Sequence, residues 1–317
     1  MTPVIIFGPT GSVGSATALT AHTQGCKVYL ALRDTTKPIP GLTTAQEQSG
    51  NFTRIQTDFS NPTSITTAVA QSKAKHAFIY TDLTSPDHMR GTFTALKEAG
   101  VEFVVLLSSF GVQGDIHHVA SEDVIAYVHA QAEISLREVF EDDGYVAVRP
   151  GFYASNSLWW RNSIQNGNGV RVAWAEGVFD WISPGDVGCV SGMILARRAR
   201  GVETGVEEGK SFVYLVGPEQ MSVREVIETV GSVLGREVSV IEVGEEEGVE
   251  SLVRESGLHE GIARSVVGFC RGAVVEGRSF IESPVYGGAV GNIERFLGRE
   301  AMGFREWVEV NRGKFGV

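Results

Sequence analysis

Residues 4–14 constrain this chain more than any other stretch. A short apolar run rich in β-branched residues, Val4-Ile5-Ile6-Phe7, leads without a spacer into Gly8-Pro9-Thr10-Gly11-Ser12-Val13-Gly14. Ser15 to Ala21 then reads as the opening of a helix. Strand, glycine turn and helix N-terminus in that order make a site for a pyrophosphate. Glycines let the backbone turn tightly, approach the anion and pack the helix on the sheet. The unpaired N–H groups and the dipole of the new helix then favour negative charge. A glycine triplet alone is weak evidence, and here the flanking strand and helix supply the context that gives it meaning.

The 317 residues are enough for one elaborated α/β domain or for two lobes. A net charge of −11 argues against nucleic acid as a partner, because phosphate backbones call for a basic face. Cys26, Cys189 and Cys270 are scattered and odd in number, which is neither a disulfide framework nor a metal spacing. No charged leader precedes a long apolar stretch, and no apolar run approaches the roughly 20 residues of a membrane span. A cytoplasmic protein without a membrane segment or a metal site is expected.

Along the first half, apolar strands alternate with helical patterns, the mark of a parallel sheet wrapped by helices. Strands are expected at Lys27–Leu32, Phe52–Gln56, Ala77–Tyr80, Val101–Leu107 and Tyr145–Arg149. Asn61-Pro62 opens one helix and another spans Asp123–Phe140. The second half is richer in glycine. A looser loop is expected around Asn162–Gly169 and a solvated loop at Glu245-Glu246-Glu247. A strand is expected at Phe212–Val216, a helix at Met221–Leu234 and a further strand at Arg236–Val243. The fold expected is a Rossmann-type doubly wound sheet, residues 1–151, with a smaller α/β substrate lobe, residues 152–317. Some segments of the lobe are free to return to the main sheet.

Doubly wound sheets bind ligands at the carboxyl ends of their strands. That singles out Gly8, Thr10, Gly11, Ser12, Val13, Gly14, Arg33, Asp58, Phe59, Tyr80, Thr81, Ser108, Pro150, Gly151 and Phe152 as candidate cofactor contacts. Arg33 ends the second strand, where a guanidinium can fork onto a ribose 2′-phosphate, so NADP(H) is favoured over NAD. Asp34 is its rival, because turned inward it would favour NAD. Asp58 either accepts from the adenine edge or caps its own turn. Ser108 either reaches the nicotinamide or satisfies backbone groups. Ser109, Phe110 and Tyr153 are candidates for the substrate pocket. Trp159, Trp160, Trp174 and Trp181 either line that pocket or fill core, the commoner fate of tryptophan. His117 and His118 lack ligand partners, so a metal role is not expected for them.

These residues resemble the NmrA-like group of atypical short-chain dehydrogenases. The matching pieces are Gly8-x-Thr10-Gly11-x-x-Gly14, Leu32-Arg33-Asp34, Gly100–Val104 with Ser108-Ser109, and Arg149–Phe152 with Asn156. Asp186-Val187, Gly217–Ser222, Leu234–Val238, Gly298–Glu300 and Phe304–Trp307 extend the likeness over nearly the whole chain. The resemblance implies an NADP-binding Rossmann domain with a small substrate lobe. It leaves the activity open between reduction of quinones, enones or imines and regulation without turnover.

Ordinary short-chain dehydrogenases pair a tyrosine with a lysine four residues later, and the lysine lowers the phenol's pKa. Alignment on Arg149-Pro150-Gly151 and Glu133 places Ile125 and His129 at those two positions, so the usual pair is expected to be absent. His129 shares a helix face with Ile125 and Glu133. It either holds the nicotinamide ribose, donates a proton as imidazolium, or packs on the sheet against a backbone carbonyl. Tyr127 lies off that face and is the other candidate proton donor. The function expected is an NADPH-dependent reductase acting on a small, planar, apolar electrophile. The alternative is a dinucleotide-binding redox sensor that acts on a protein partner.

Overall fold

The computed structural model describes residues 1–277 and 280–316. Its first six strands are β1 (Thr2–Phe7), β2 (Cys26–Leu32), β3 (Phe52–Gln56), β4 (His76–Tyr80), β5 (Phe103–Leu107) and β6 (Tyr145–Pro150). The second half adds β7 (Val170–Val172), β8 (Val178–Phe179), β9 (Phe212–Leu215), β10 (Met221–Ser222) and β11 (Val240–Glu242). Seven strands form one parallel sheet in the order β3-β2-β1-β4-β5-β6-β9. The order reverses between β1 and β4, so the glycine turn leaving β1 sits at the switch point where such sheets bind ligands.

Both faces of the sheet are covered, which is why its strands are apolar throughout. Val4 and Ile6 face the helices Ser12–Thr23 and Pro184–Ala199. Ile5 and Phe7 face the helices Pro62–Ser72, Arg90–Glu98 and Val124–Phe140. Local signals account for the helix starts: Asn61 accepts from the N–H groups of Thr63 and Ser64, and Asp123 from that of Ala126.

The second half both returns to the sheet and builds its own core. The helix Pro184–Ala199 packs on Ser12–Thr23, and β9 pairs with β6. The remaining core gathers Trp160, Phe179, Trp181, Phe304, Trp307 and Phe315 with the helices Val223–Leu234 and Glu260–Val275. Trp160 and Trp181 are therefore buried core, with the Trp181 indole donating to the Met221 carbonyl at 2.8 Å. Two local expectations are corrected. Residues 161–166 form a helix rather than a loop, and Glu245–Glu247 form the first turn of the helix Glu245–Ser256. Three carboxylates there are favoured by the helix dipole, and Arg264 binds Glu246 through both terminal nitrogens at 2.9 Å.

Two contacts fix the second half in place. At Gly188 an added Cβ would lie 2.4 Å from the Val13 carbonyl oxygen, and at Gly192 it would lie 2.7 Å from that of Thr17. The two helices touch backbone to backbone. The second contact is Asp180, which is buried and accepts from the N–H groups of Phe152 and Gly217, both at 2.8 Å. Burial pushes its carboxyl up to about 6 against the opposing pull of those two hydrogen bonds.

Two predictions follow from these contacts. In an open helix, glycine to alanine stabilises by about 1 kcal/mol. Here Gly188→Ala is expected to destabilise by about 1–3 kcal/mol through overpacking. Denaturant unfolding reads the sign, and a raised midpoint would show that the helices stand further apart. For Asp180, the folded state holds its proton more tightly than the unfolded chain. Its contribution therefore falls as pH rises between about 4 and 6. The melting temperature of wild type relative to Asp180→Asn should fall across that window and level off above it. A difference that stays flat with pH would mean that Asp180 titrates normally.

Candidate functional site

Gly8 has φ +71°, and a Cβ there would strike the Tyr80 ring at 2.4 Å. Gly14 sits over the same turn, where an added Cβ would lie 2.2 Å from the Gly8 carbonyl oxygen. These two positions seat the helix Ser12–Thr23 directly on the end of β1. Gly11 is its N-cap in extended conformation, so no side chain covers the first N–H groups of the helix. Thr10, Gly11 and Ser12 are exposed. A cavity of about 410 Å³ opens above them, lined by Gly8, Thr10–Gly14, Phe78, Tyr80, Leu107, Tyr153, Ser155 and Pro184. The cradle suits an anion, because it combines bare backbone donors with the positive end of a dipole.

At the ends of β2 and β3, Arg33 is exposed. Asp34 is turned into its own loop, accepting from the Thr36 N–H at 2.9 Å and the Thr36 hydroxyl at 2.6 Å. Those bonds hold its carboxyl below the usual range. Asp58 behaves alike: its Oδ1 accepts from the Ser60 N–H and hydroxyl, and these bonds, with a smaller pull from Arg33, hold it low. The turn reading of Asp58 thus describes its Oδ1. Phe59 stacks edge-on against Tyr80 at 4.8 Å. The loop after β2 is braced by Arg54, which donates to the Thr35 and Lys37 carbonyls and forks onto Glu47. Nothing in the local sequence around Arg54 announced that role, since its partners lie up to 19 residues away.

The ends of β5 and β6 surround a buried charge pair. Arg149 donates to Glu133 through Nε at 3.0 Å and Nη2 at 2.6 Å, and both side chains are almost wholly enclosed. Ser108 gives its hydroxyl to the same carboxylate, and Arg149 Nη1 donates to the Tyr214 hydroxyl at 2.9 Å. Ser108 is therefore turned into this network. Its hydroxyl serves Glu133, a stronger acceptor than the backbone carbonyls considered from sequence. Thr81 likewise gives its hydroxyl to the Leu107 carbonyl at 3.0 Å.

At one nitrogen His129 meets a backbone carbonyl one turn back in its own helix. Its Nδ1 lies 2.8 Å from the Ile125 carbonyl oxygen and must donate to it. Burial lowers its pKa, ahead of opposing pulls from Ile125, Glu133 and Asp123, so the ring is neutral near pH 7 with Nε2 as acceptor. An imidazolium acid is disfavoured by that environment. Tyr127 packs edge-on against His88 at 6.3 Å.

Pro150 and Gly151 are buried, and a Cβ at Gly151 would strike the Asp180 carboxylate at 2.2 Å. Phe152 stacks on Phe179 at 4.5 Å. Ser109 accepts from the Gly111 N–H at 3.2 Å. Phe110 is a correction, since it is fully buried among Val216, Tyr286 and Ala289 and offers no surface to a substrate. Tyr153 lines the cavity of the glycine turn itself. Asp180 was missed from sequence, because a single aspartate between Phe179 and Trp181 carries no pattern. Among the described residues no cluster of His, Cys, Asp and Glu could hold a metal ion, and no helix is long and apolar enough to cross a membrane.

The glycine cradle, the uncapped helix and the reversal of strand order fit a dinucleotide. Comparison with known proteins agrees. A family model described as NAD(P)H-binding matches residues 8–163. A nitrogen metabolite regulation-like protein, bik4, of Gibberella fujikuroi is 35% identical over 96% of this chain and 95% of its own length. An NAD(P)H azoreductase of Xenophilus azovorans is 22% identical over 99% of both chains. An NADPH-dependent quinone oxidoreductase of Escherichia coli, solved with NADPH, shares the fold with a TM-score of 0.68 at 17% identity, over 98% of this chain and 99% of that one. The chain belongs to the NmrA-like family and carries an NAD(P)H-binding domain.

Proposed function

We propose that this protein is an NADPH-dependent reductase of a small electrophilic acceptor: a quinone, an enone, an imine or an iminium ion. The observation that carries this reading is the open glycine cradle beneath a cavity at the switch point of the sheet. The azoreductase and quinone oxidoreductase likenesses are consistent with it. Bound reduced cofactor would supply a hydride, that is, two electrons and one proton's worth of hydrogen.

The chain's own part is to hold and orient. The backbone donors of Thr10–Gly14 receive the pyrophosphate. Arg33 forks onto the 2′-phosphate, and Asp34, spent on Thr36, does not oppose it. His129 offers Nε2 as an acceptor to a ribose hydroxyl. Ile125 and His129 stand where the usual tyrosine and lysine would be, and acceptors of this class need little acid help. Water supplies the remaining proton. A second cavity, about 640 Å³, lies between the loop after β5 and the helix Glu260–Val275, with Gly111, Asp123 and Phe269 in its lining. We place the acceptor's entry there.

One observation favours a second reading. The bik4 relative, similar over nearly the whole chain, is described by a regulatory role. The same cradle would then report the redox state of the cofactor to a protein partner.

Calorimetric titration with NADPH, NADP, NADH and NAD separates the two. Tight binding that prefers NADPH, followed by turnover of a quinone or iminium dye, is expected. Preference for the oxidised forms without turnover would replace the reductase by the sensor. Arg33→Ala should weaken NADPH about 10- to 100-fold and leave NADH unchanged. Equal losses for both would take the 2′-phosphate away from Arg33. His129→Ala should raise the KM for NADPH, and wild-type turnover should show no rise on acidification that this substitution removes.

A further inference from the structure

Tyr153 is the one cavity-lining side chain whose polar atom is both enclosed and, among the described residues, without a hydrogen-bond partner. A buried hydroxyl left unsatisfied costs about 1–3 kcal/mol, so a fold that keeps one has a use for it or cannot move it. The backbone on either side is clamped. The Ala154 N–H donates to the Ile182 carbonyl at 2.8 Å, and the Ile182 N–H donates to the Phe152 carbonyl at 2.7 Å. Asp180 fixes the preceding residue through the Phe152 N–H. The backbone that carries the ring is thus fixed beside the glycine-turn cavity. Burial, with Asp180 nearby, raises the phenol's pKa, so the group keeps its proton and can donate it in a hydrogen bond.

We propose that Tyr153 is a cofactor-positioning residue: its hydroxyl donates to an oxygen of the dinucleotide's pyrophosphate or of the adjoining ribose. The inference rests on the dinucleotide reading above and moves Tyr153 from the substrate pocket to the cofactor. The bond that is missing in the free protein is then made on binding. One substitution should therefore have two opposite effects.

Tyr153→Phe removes the hydroxyl and keeps the ring. Free of cofactor, the variant should melt at the same temperature as wild type or higher, because an unsatisfied group is gone. Its Kd for NADPH should rise about tenfold, the loss of one hydrogen bond to an acceptor of high charge. Calorimetry with fragments locates the acceptor. The penalty should persist with 2′-phospho-ADP-ribose, which keeps the pyrophosphate and the second ribose, and vanish with adenosine 2′-monophosphate, which lacks both. A variant that melts lower without cofactor and binds NADPH as wild type does would overturn the proposal, showing a purely structural hydroxyl. A penalty that remains with adenosine 2′-monophosphate would also overturn it. Failure of the wild-type protein itself to bind any dinucleotide would instead remove the reading on which the proposal stands.

Discussion

The buried carboxylate of Asp180 ties together parts of the chain that are far apart in sequence. It receives the N–H of Phe152, just beyond β6, and that of Gly217, just beyond β9, and it stands shortly before the helix Pro184–Ala199. At Gly151 and Gly217 there is no room for a side chain, since an added Cβ would meet Asp180 at 2.2 and 1.9 Å. Beside this junction lies the bridge from Tyr153 to Ile182. A carboxylate is suited to this task because it can accept from two backbone donors at once, and the cost is the desolvation that raises its own pKa.

A second buried charge supports the other side of the site. Glu133 and Arg149 are enclosed and bonded twice, while Ser108, Tyr214 and the faces of Phe212 and Tyr214 satisfy their remaining capacity. Such a pair adds little net stability over apolar packing, yet removing one partner strands a charge and costs about 3–5 kcal/mol. Its effect is to hold the end of β6 against the helix that carries His129. The family-like pieces of the second half have comparable structural tasks. Asp186 accepts from Arg299 and from the Met302 N–H, Glu219 from the Phe304 N–H, and Ser222 with Glu225 forms a capping box.

Function divides along the same lines. The cradle for the dinucleotide is built from backbone, and backbone is what close glycine packing positions best. In the proposed reductase the reacting end would be built from side chains: a histidine bonded at Nδ1 within its own helix, a serine committed to a buried carboxylate and a tyrosine packed edge-on against His88. This arrangement suits acceptors that take a hydride unaided, and it suits a sensor equally, which is why cofactor preference and turnover carry the decision.

The sequence by itself determined the main sheet and the cofactor cradle, because both are written in local terms. Strands covered on two faces are short apolar runs, and a strand, a glycine turn and a helix follow one another within 23 residues. Strand limits of the main sheet read from the sequence fall within about two residues of those in the structure, and Phe52–Gln56 coincides, whereas the strand expected at Arg236–Val243 is confined to Val240–Glu242. The tertiary structure alone decided which side chains are spent and which are open. Ser108 meets Glu133 across 25 residues, Arg54 meets Thr35 across 19, and Asp180 meets Gly217 across 37. Phe110 looks like a pocket residue until Tyr214 and Tyr286 close over it. A hydrogen bond depends on distance in space, and no periodicity in the chain records it. Tyr153 shows the same limit most clearly, since its missing partner becomes visible only when every neighbour is in place.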